Sequence, residues 1–574
     1  MDIQIPITLD MIVTEGNPYP SIDEIKEYLS AFNKSQLIKA ALTLLAKSNE
    51  WCKFDIFIQE YFPNSLKEFA INIFAAYKKH YDQACHTSHA TPNFVIINKQ
   101  TCLELLSYIF AIKDSRQNIA LENNAKALVY IFYLILYINT NRSQTPNIPE
   151  DLDKNLIDAY RILLTTISYN DYTNSSEDID FLIQCHKAQL FFEFCESDES
   201  FGKLLDSFLA RCDFPNWENY IYYLARLFII NNKPGRWIIN LDPHSESYNK
   251  DKLLFSTFSI KTDEILIKND DFIEFRNRPL IDFGNDEYEV IDQAFLLRKI
   301  YNSILFQFKD INESVQVFDN FFQAYTTCFS ERVMFDSIIS NIFSRHKYIK
   351  LSEPELVNSK VKFPPDYYIR NGKYVYIFEC KDVLFRKEDK ISNDYNIIKK
   401  HLEEKLVCKA NGKASAVYQL ANVVKQILSN EFEADNGYNS DKIIIYPILV
   451  VGDRTFASPG VSVILNDYFK KRLCELGLST AHIKDISLID IDTLINFEED
   501  FSRNVIHLKD VLDGYFKFLK TAFPYRIKDA NDVIFNIVHP NFSLATYMKT
   551  KISPKNRVGY IDAFIKRFEM ANLN

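Results

Sequence analysis

Glycine is scarce in this chain, with 12 in 574 residues. A turn-dense all-β protein needs more of the one residue that enters positive-φ conformations freely, so a mainly helical chain is expected. Cysteine is sparse too: 10 residues are scattered with no CxxC pair. That excludes a disulfide framework, and reduced, mostly buried thiols are expected of a cytoplasmic protein. Long apolar runs are missing. No window reaches the ~18 uninterrupted apolar residues of a membrane span. The nearest, ALVYIFYLILYI from Ala127 to Ile138, is too short and is expected to be a buried helix. The first twenty residues lack a basic leader and an apolar core, so no secretory signal is expected. There is no GxxxxGK[ST], no GxSxG and no HExxH, which leaves no P-loop motor, nucleophile elbow or zincin helix. His80, Cys85, His86 and His89 lie close together, but their spacing is not that of a zinc site and no second ligand pair follows.

What is present divides the chain into four expected parts. Residues 1–234 read as successive helices, with apolar residues at three- and four-residue spacing in SQLIKAALTLLAKS, LKEFAINIFAAYKKH and ENYIYYLARLFIINN. Ser21-Ile-Asp-Glu is a capping-box pattern opening the first of them. Residues 235–317 form a small β-containing part. RWIINL, LLFSTFSI, DEILI, PLIDFG and EYEVID are expected as short strands, followed by one periodic helix, AFLLRKIYNSILFQFKDI. Residues 318–500 alternate helix and strand. A helix over Val315–Phe343 leads into VKFPPDYYI and KYVYIFE, which form a hairpin around an Asn-Gly turn signal. A helix near Ala414–Asn430 and the apolar run IIIYPILVV follow, the latter a strand buried on both faces. Residues 501–574 are expected to be helical.

The chemistry concentrates in FPPDYYIRNGKYVYIFECKD, Phe363 to Asp382. With a turn near the midpoint, an antiparallel pair brings Asp366 and Glu379 to the same open end. Glu379 and Lys381 are two apart on a strand, so they share a face, while Cys380 points the other way. Two carboxylates, the Cys380 carbonyl and waters would suit Mg²⁺, or Mn²⁺ in its place. A metal so held polarises a phosphate and acidifies its water, and Lys381 can orient that water or stabilise developing charge. The plain alternative is a surface hairpin with a solvated Glu–Lys pair worth about 0–1 kcal/mol. Against it, Glu379 ends the apolar run YVYIF, where an unpaired acid is costly.

Asp366…Glu379-x-Lys381, with Pro365 completing the literal PD, resembles the signature of the PD-(D/E)xK nuclease superfamily. The resemblance covers residues 318–500. It implies a restriction-endonuclease-like α/β domain, a mixed central sheet flanked by helices, behind a mostly α-helical N-terminal region. It further implies a Glu on the preceding helix, best matched by Glu331, with Glu353 and Glu355 as alternatives. A Gln on the following helix is matched by Gln419.

Net charge over the whole chain is −10, so a polyanion would need a local basic patch. Residues 360–425 carry 14 Lys and Arg against 8 Asp and Glu, a net +6, which leaves −16 on the rest. Lys387, Lys390, Lys399, Lys400, Lys409 and Lys413 are the candidate phosphate contacts; interspersed acids allow a solvated surface instead. The expected function is a Mg²⁺-dependent nuclease, acting on DNA sooner than RNA. By family resemblance it would serve in bacterial defence against foreign DNA. The competing expectations are a helical protein-binding scaffold carrying an inactive nuclease fold and an RNA-cleaving nuclease; a protein partner or a homo-oligomer would form through the helical N-terminal region.

Overall fold

The computed structural model describes residues 5–12, 19–88, 94–113, 117–122, 124–144, 146–169, 177–231, 235–268, 271–345, 347–409, 412, 414–520 and 538–552. Its elements cluster into two compact units that do not follow the linear order of the chain. One takes Met1–Thr145 with Arg226–Lys299; the other takes Pro146–Ala225 with Ile300–Ala522 and the residues from Ile537 on. The divisions therefore fall inside the expected 1–234 and 235–317 parts.

The first unit is helical through Ile22–Leu29, Lys34–Lys47, Lys67–Ser88, Lys99–Ala111 and Ala125–Arg142. Ser21 and Glu24 close the expected capping box. Ala125–Arg142 is buried along its apolar length, and among the described residues no helix is long and apolar enough to cross a membrane. A four-stranded sheet is ordered Ile238–Asn240, Glu287–Val290, Leu280–Asp282, Ser259–Lys261. Of the expected strands, DEILI is absent from it and LLFSTFSI contributes only its end, Ser259 and Ile260. LLFSTF lies in the helix Tyr248–Phe258, which buries Leu254, Phe255 and Phe258; its aromatic and β-branched content does not override a three-four apolar spacing. DEILI forms no strand and leaves Ile265 and Ile267 exposed.

The second unit is built on a five-stranded mixed sheet. In chain order its main elements are α1 (Lys154–Thr166), α2 (Glu177–Ser197), α3 (Glu199–Cys212) and α4 (Asn302–Val315). Next comes one long helical segment: α5 (Phe321–Tyr325), a π-helical stretch Thr326–Phe335, and α6 (Asp336–Ile342). Then follow β1 (Ile349–Ser352), α7 (Glu353–Asn358), β2 (Tyr367–Asn371), β3 (Tyr374–Lys381), α8 (Lys387–Lys390), α9 (Tyr395–Leu402), α10 (Ala416–Leu428), β4 (Ile444–Val451), α11 (Val461–Glu475), β5 (Ser487–Asp490) and α12 (Ile491–Ser502). The tail contributes α13 (Leu508–Lys520) and α14 (Leu544–Lys551); the rest of the expected C-terminal helices lies outside the described residues.

Strand order is β5-β4-β3-β2-β1. β1, β2 and β3 pair antiparallel, and β4 and β5 join in parallel. The β2–β3 hairpin turns at Gly372-Lys373, one residue past the Asn-Gly dipeptide, because Asn371 still pairs with Tyr374. Gly372 takes the positive φ of 58° at the first central position, where a two-residue hairpin loop calls for glycine. Val375 and Ile377 of β3 and Leu449 and Val451 of β4 pack into one apolar core with α1, α9, α10 and α11. The opposite face meets the π stretch, where Phe335 packs on Phe378. Proline in a central strand is normally excluded by its missing N–H. Pro447 is tolerated because β5 pairs with β4 only from Ile448 onward.

The helix expected over AFLLRKIYNSILFQFKDI is broken between Gln293–Leu297 and Asn302–Val315. No glycine or proline marks the break. Tertiary packing makes it: Ile300 and Tyr301 are 1% exposed, and the Tyr301 hydroxyl bonds to that of Tyr325.

A buried ion network ties α2 to the sheet. Arg454 grips Asp180 through both terminal nitrogens, at 3.0 and 2.5 Å. Its Nε lies 2.7 Å from Asp492 Oδ2, an ion contact off the hydrogen-bonding line. Lys187 reaches Asp492 Oδ1 at 3.0 Å. Burial pushes the Asp492 carboxyl up, but Lys187 and Arg454 outweigh it and hold it down to about 2. Arg454→Met should leave two acids without their shared partner and cost about 3–5 kcal/mol in urea unfolding. A loss under about 1 kcal/mol would mean that the network is solvated.

Candidate active site

Asp366 sits just ahead of β2, held by three backbone contacts. Its N–H donates to the Phe378 carbonyl at 3.0 Å, and its own carbonyl accepts from the Glu353 N–H at 3.0 Å. Its Oδ2 accepts from the Cys380 N–H at 2.5 Å. Tyr367 pairs with Phe378, so the ladder extended by one residue sets Asp366 opposite Glu379. Antiparallel geometry thus delivers the two acids to one end, as their spacing predicts.

Glu379 is 0% exposed although it is an acid at a strand end. Its Oε1 accepts from Lys381 Nζ at 2.7 Å, while its Oε2 is buried with no hydrogen-bond partner. Burial, then the neighbouring Asp366, raises the carboxyl to about 8, with Lys381 opposing. Burial likewise raises Asp366, against Lys381 and the Cys380 N–H. Burial alone would lower the Lys381 ammonium, but Glu379 and Asp366 outweigh it, so Lys381 stays protonated.

Glu331 stands in the middle of the π stretch and joins this group. Burial first and Asp366 second raise it to about 7, with Lys381 pulling back. Glu353 adds its field to both Asp366 and Glu331. Of the alternatives for the helical acid, Glu331 and Glu353 both bear electrostatically on Asp366. Glu355 is spent otherwise, closing a capping box with Ser352. Glu379, Asp366 and Glu331 all act on the one Lys381 ammonium. Glu353 is legible in sequence only as an acid near the hairpin; its backbone bond to Asp366 is what places it.

The other expected site residues fare differently. Cys380 turns its thiol into the packed interior, and its N–H donates to Asp366 Oδ2. Gln419 lies in the first turn of α10, on the sheet face that Glu379 and Lys381 share with Val375 and Ile377. Among the described residues no hydrogen bond links its side chain to the carboxylates. Lys390 is corrected: it is 5% exposed, because α8 turns it inward, and it is not placed to meet a phosphate. Lys400 is exposed, with Glu404 at 3.9 Å, and Lys399 lies over the Tyr395 ring. Lys409 is exposed and Lys387 half-buried; Lys413 lies outside the described residues, as do the side chains of Cys85, His86 and His89.

Among the described residues, no group of three or more His, Cys, Asp or Glu side chains is arranged to hold a metal ion. One oxygen of each central acid is already turned to a protein donor: Glu379 Oε1 to Lys381, Asp366 Oδ2 to Cys380. The hard oxygen of Glu379 that remains unpartnered is the kind of donor a divalent cation takes. No family model, no curated protein and no solved structure matches the chain.

Proposed function

We propose that this protein is a metal-dependent nuclease of the PD-(D/E)xK type. The observation that carries the reading is the orphaned Oε2 of Glu379, fully buried beside Asp366 and Lys381. Leaving such an acid unsatisfied costs free energy unless a proton or a cation completes it. An antiparallel hairpin followed by parallel β4 and β5 supports the restriction-endonuclease-like fold class.

Asp366 and Glu379 would hold Mg²⁺ or Mn²⁺, with Glu331 and Glu353 adding negative charge around it. The bound ion supplies a Lewis acid for the phosphate and a water of lowered pKa. Lys381, kept protonated by its acids, donates to the oxygens on which charge builds during phosphodiester hydrolysis. The exposed Lys400 and Lys409 give a backbone-reading surface with no sequence preference. DNA is the proposed substrate, and removal of foreign DNA the proposed setting. A second reading, a scaffold with an inactive nuclease fold, draws on the Glu379–Lys381 pair, which closes one oxygen of the acid.

The test combines cleavage and binding. Purified protein is given linear duplex DNA, single-stranded DNA and RNA with Mg²⁺, Mn²⁺ or EDTA, beside Asp366→Ala. Metal alone should stabilise the wild type by about 2.7 kcal/mol at a hundredfold excess over Kd, and Asp366→Ala should lose both that shift and cleavage. Neither a shift nor cleavage of any substrate would favour the scaffold.

A further inference from the structure

Ser330 and Glu331 are neighbours on the π stretch, yet they answer to different partners. Glu331 lies in the field of Asp366 and Lys381. Ser330 is fully buried, and its hydroxyl donates to Asp382 Oδ2 at 2.6 Å. Asp382 is the first residue after β3 and so the immediate neighbour of Lys381. The Tyr325 hydroxyl also reaches Asp382, and the Lys187 ammonium lies within range of it. Room for this carboxylate is made by the end of β4. A Cβ at Gly452 would lie 2.0 Å from Asp382 Oδ1, and the Gly452 N–H donates to the Lys381 carbonyl at 3.1 Å.

π-helix is rare and normally confined to a single turn. This stretch runs over ten residues, so something outside the helix must hold it. No ladder pairing requires an acid at position 382, and desolvating one is unfavourable. We propose that Asp382 is a positioning residue. By accepting the Ser330 hydroxyl it ties the π stretch to the end of β3, in the register that turns Glu331 toward Asp366, Glu379 and Lys381. The consequence for metal binding rests on the nuclease reading; the tie itself does not.

The experiment uses the full chain with Ser330→Ala, Asp382→Ala, Asp382→Asn, Glu331→Gln and the double variant Ser330→Ala/Glu331→Gln. Hydrogen exchange by mass spectrometry reads residues 326–335, and calorimetric titration with Mn²⁺ reads the site. Exchange in 326–335 should rise at least about tenfold in Ser330→Ala and Asp382→Ala, with β4 unchanged. Asp382→Asn, which keeps an acceptor, should show a smaller rise. Mn²⁺ affinity in Ser330→Ala should fall toward that of Glu331→Gln, and the double variant should fall no further. Should Asp382→Ala fail to fold, Ser330→Ala decides alone. Unchanged exchange in Ser330→Ala overturns the proposal whatever the metal does. Raised exchange with additive losses in the double variant overturns the link to Glu331. A wild type that binds no Mn²⁺, with exchange that still responds, overturns the nuclease reading and leaves the tie standing.

Discussion

Lys381→Ala is expected to lower metal-dependent DNA cleavage by about 10²–10³-fold, the scale seen when one preorganised donor to a developing charge is removed. The loss should fall on the rate at saturating substrate, because Lys381 is half-buried and held against Glu379, with 19% of its side chain exposed, while the outer lysines serve binding. Little unfolding should accompany it near neutral pH. Lys381 opposes the rise of Glu379; without the ammonium, Glu379 holds its proton more firmly and remains neutral in the folded state. Lys381→Arg should not rescue, since a planar guanidinium cannot take the place of a compact ammonium wedged between two carboxyls. A variant that cleaves at the wild-type rate would remove Lys381 from the chemistry and take the nuclease mechanism with it.

The second large effect is on stability against pH, without added metal. In the folded protein Glu379 titrates near 8, against an ordinary value of 4.5. Between these values the native carboxyl keeps a proton that the unfolded chain releases. Stability is therefore highest below the lower value and falls as pH rises toward the upper one, by at most about 1.4 kcal/mol per pH unit for one group. Glu331, raised to about 7, contributes with the same sign over a narrower window. Glu379→Gln, which carries no titrating proton, should flatten most of this slope. Mn²⁺ should flatten it in the wild type by displacing the proton, so binding should release protons and tighten as pH rises. Thermal unfolding at half-unit steps from pH 5 to 8.5 checks it. Parallel profiles for wild type and Glu379→Gln would sink the assignment of the buried proton to this residue.

Local signals carry much of what is legible in the sequence. The capping box at Ser21 and the hairpin between two apolar runs are fixed by neighbours a few residues apart, and the chain folds them as read. Asp366 and Glu379 meet because hairpin arithmetic is local. The π stretch left no trace, since a five-residue return differs from a helical one by a single residue and the apolar spacing tolerates both. The break at residues 298–301 comes from the burial of Tyr301 against Tyr325 and, far along the chain, Phe191. Lys390 turns inward because α8 is one short turn whose facing is set by the elements around it. The interleaved units were invisible for the same reason: composition along the chain does not say which helix will rejoin which core.

That interleaving bears on how the protein is made. α1 supplies Ala159, Tyr160, Leu163 and Leu164 to the apolar core beneath the five-stranded sheet, yet the ribosome releases it some two hundred residues before β2 and β3. During that interval its apolar stripe has no native cover, a state prone to aggregate and to recruit chaperones. A fragment beginning at residue 318 would meet the converse problem. It would keep Asp366, Glu379 and Lys381 but lose a helix whose apolar stripe shares the core beneath their sheet, and it would emerge insoluble for reasons unrelated to its chemistry.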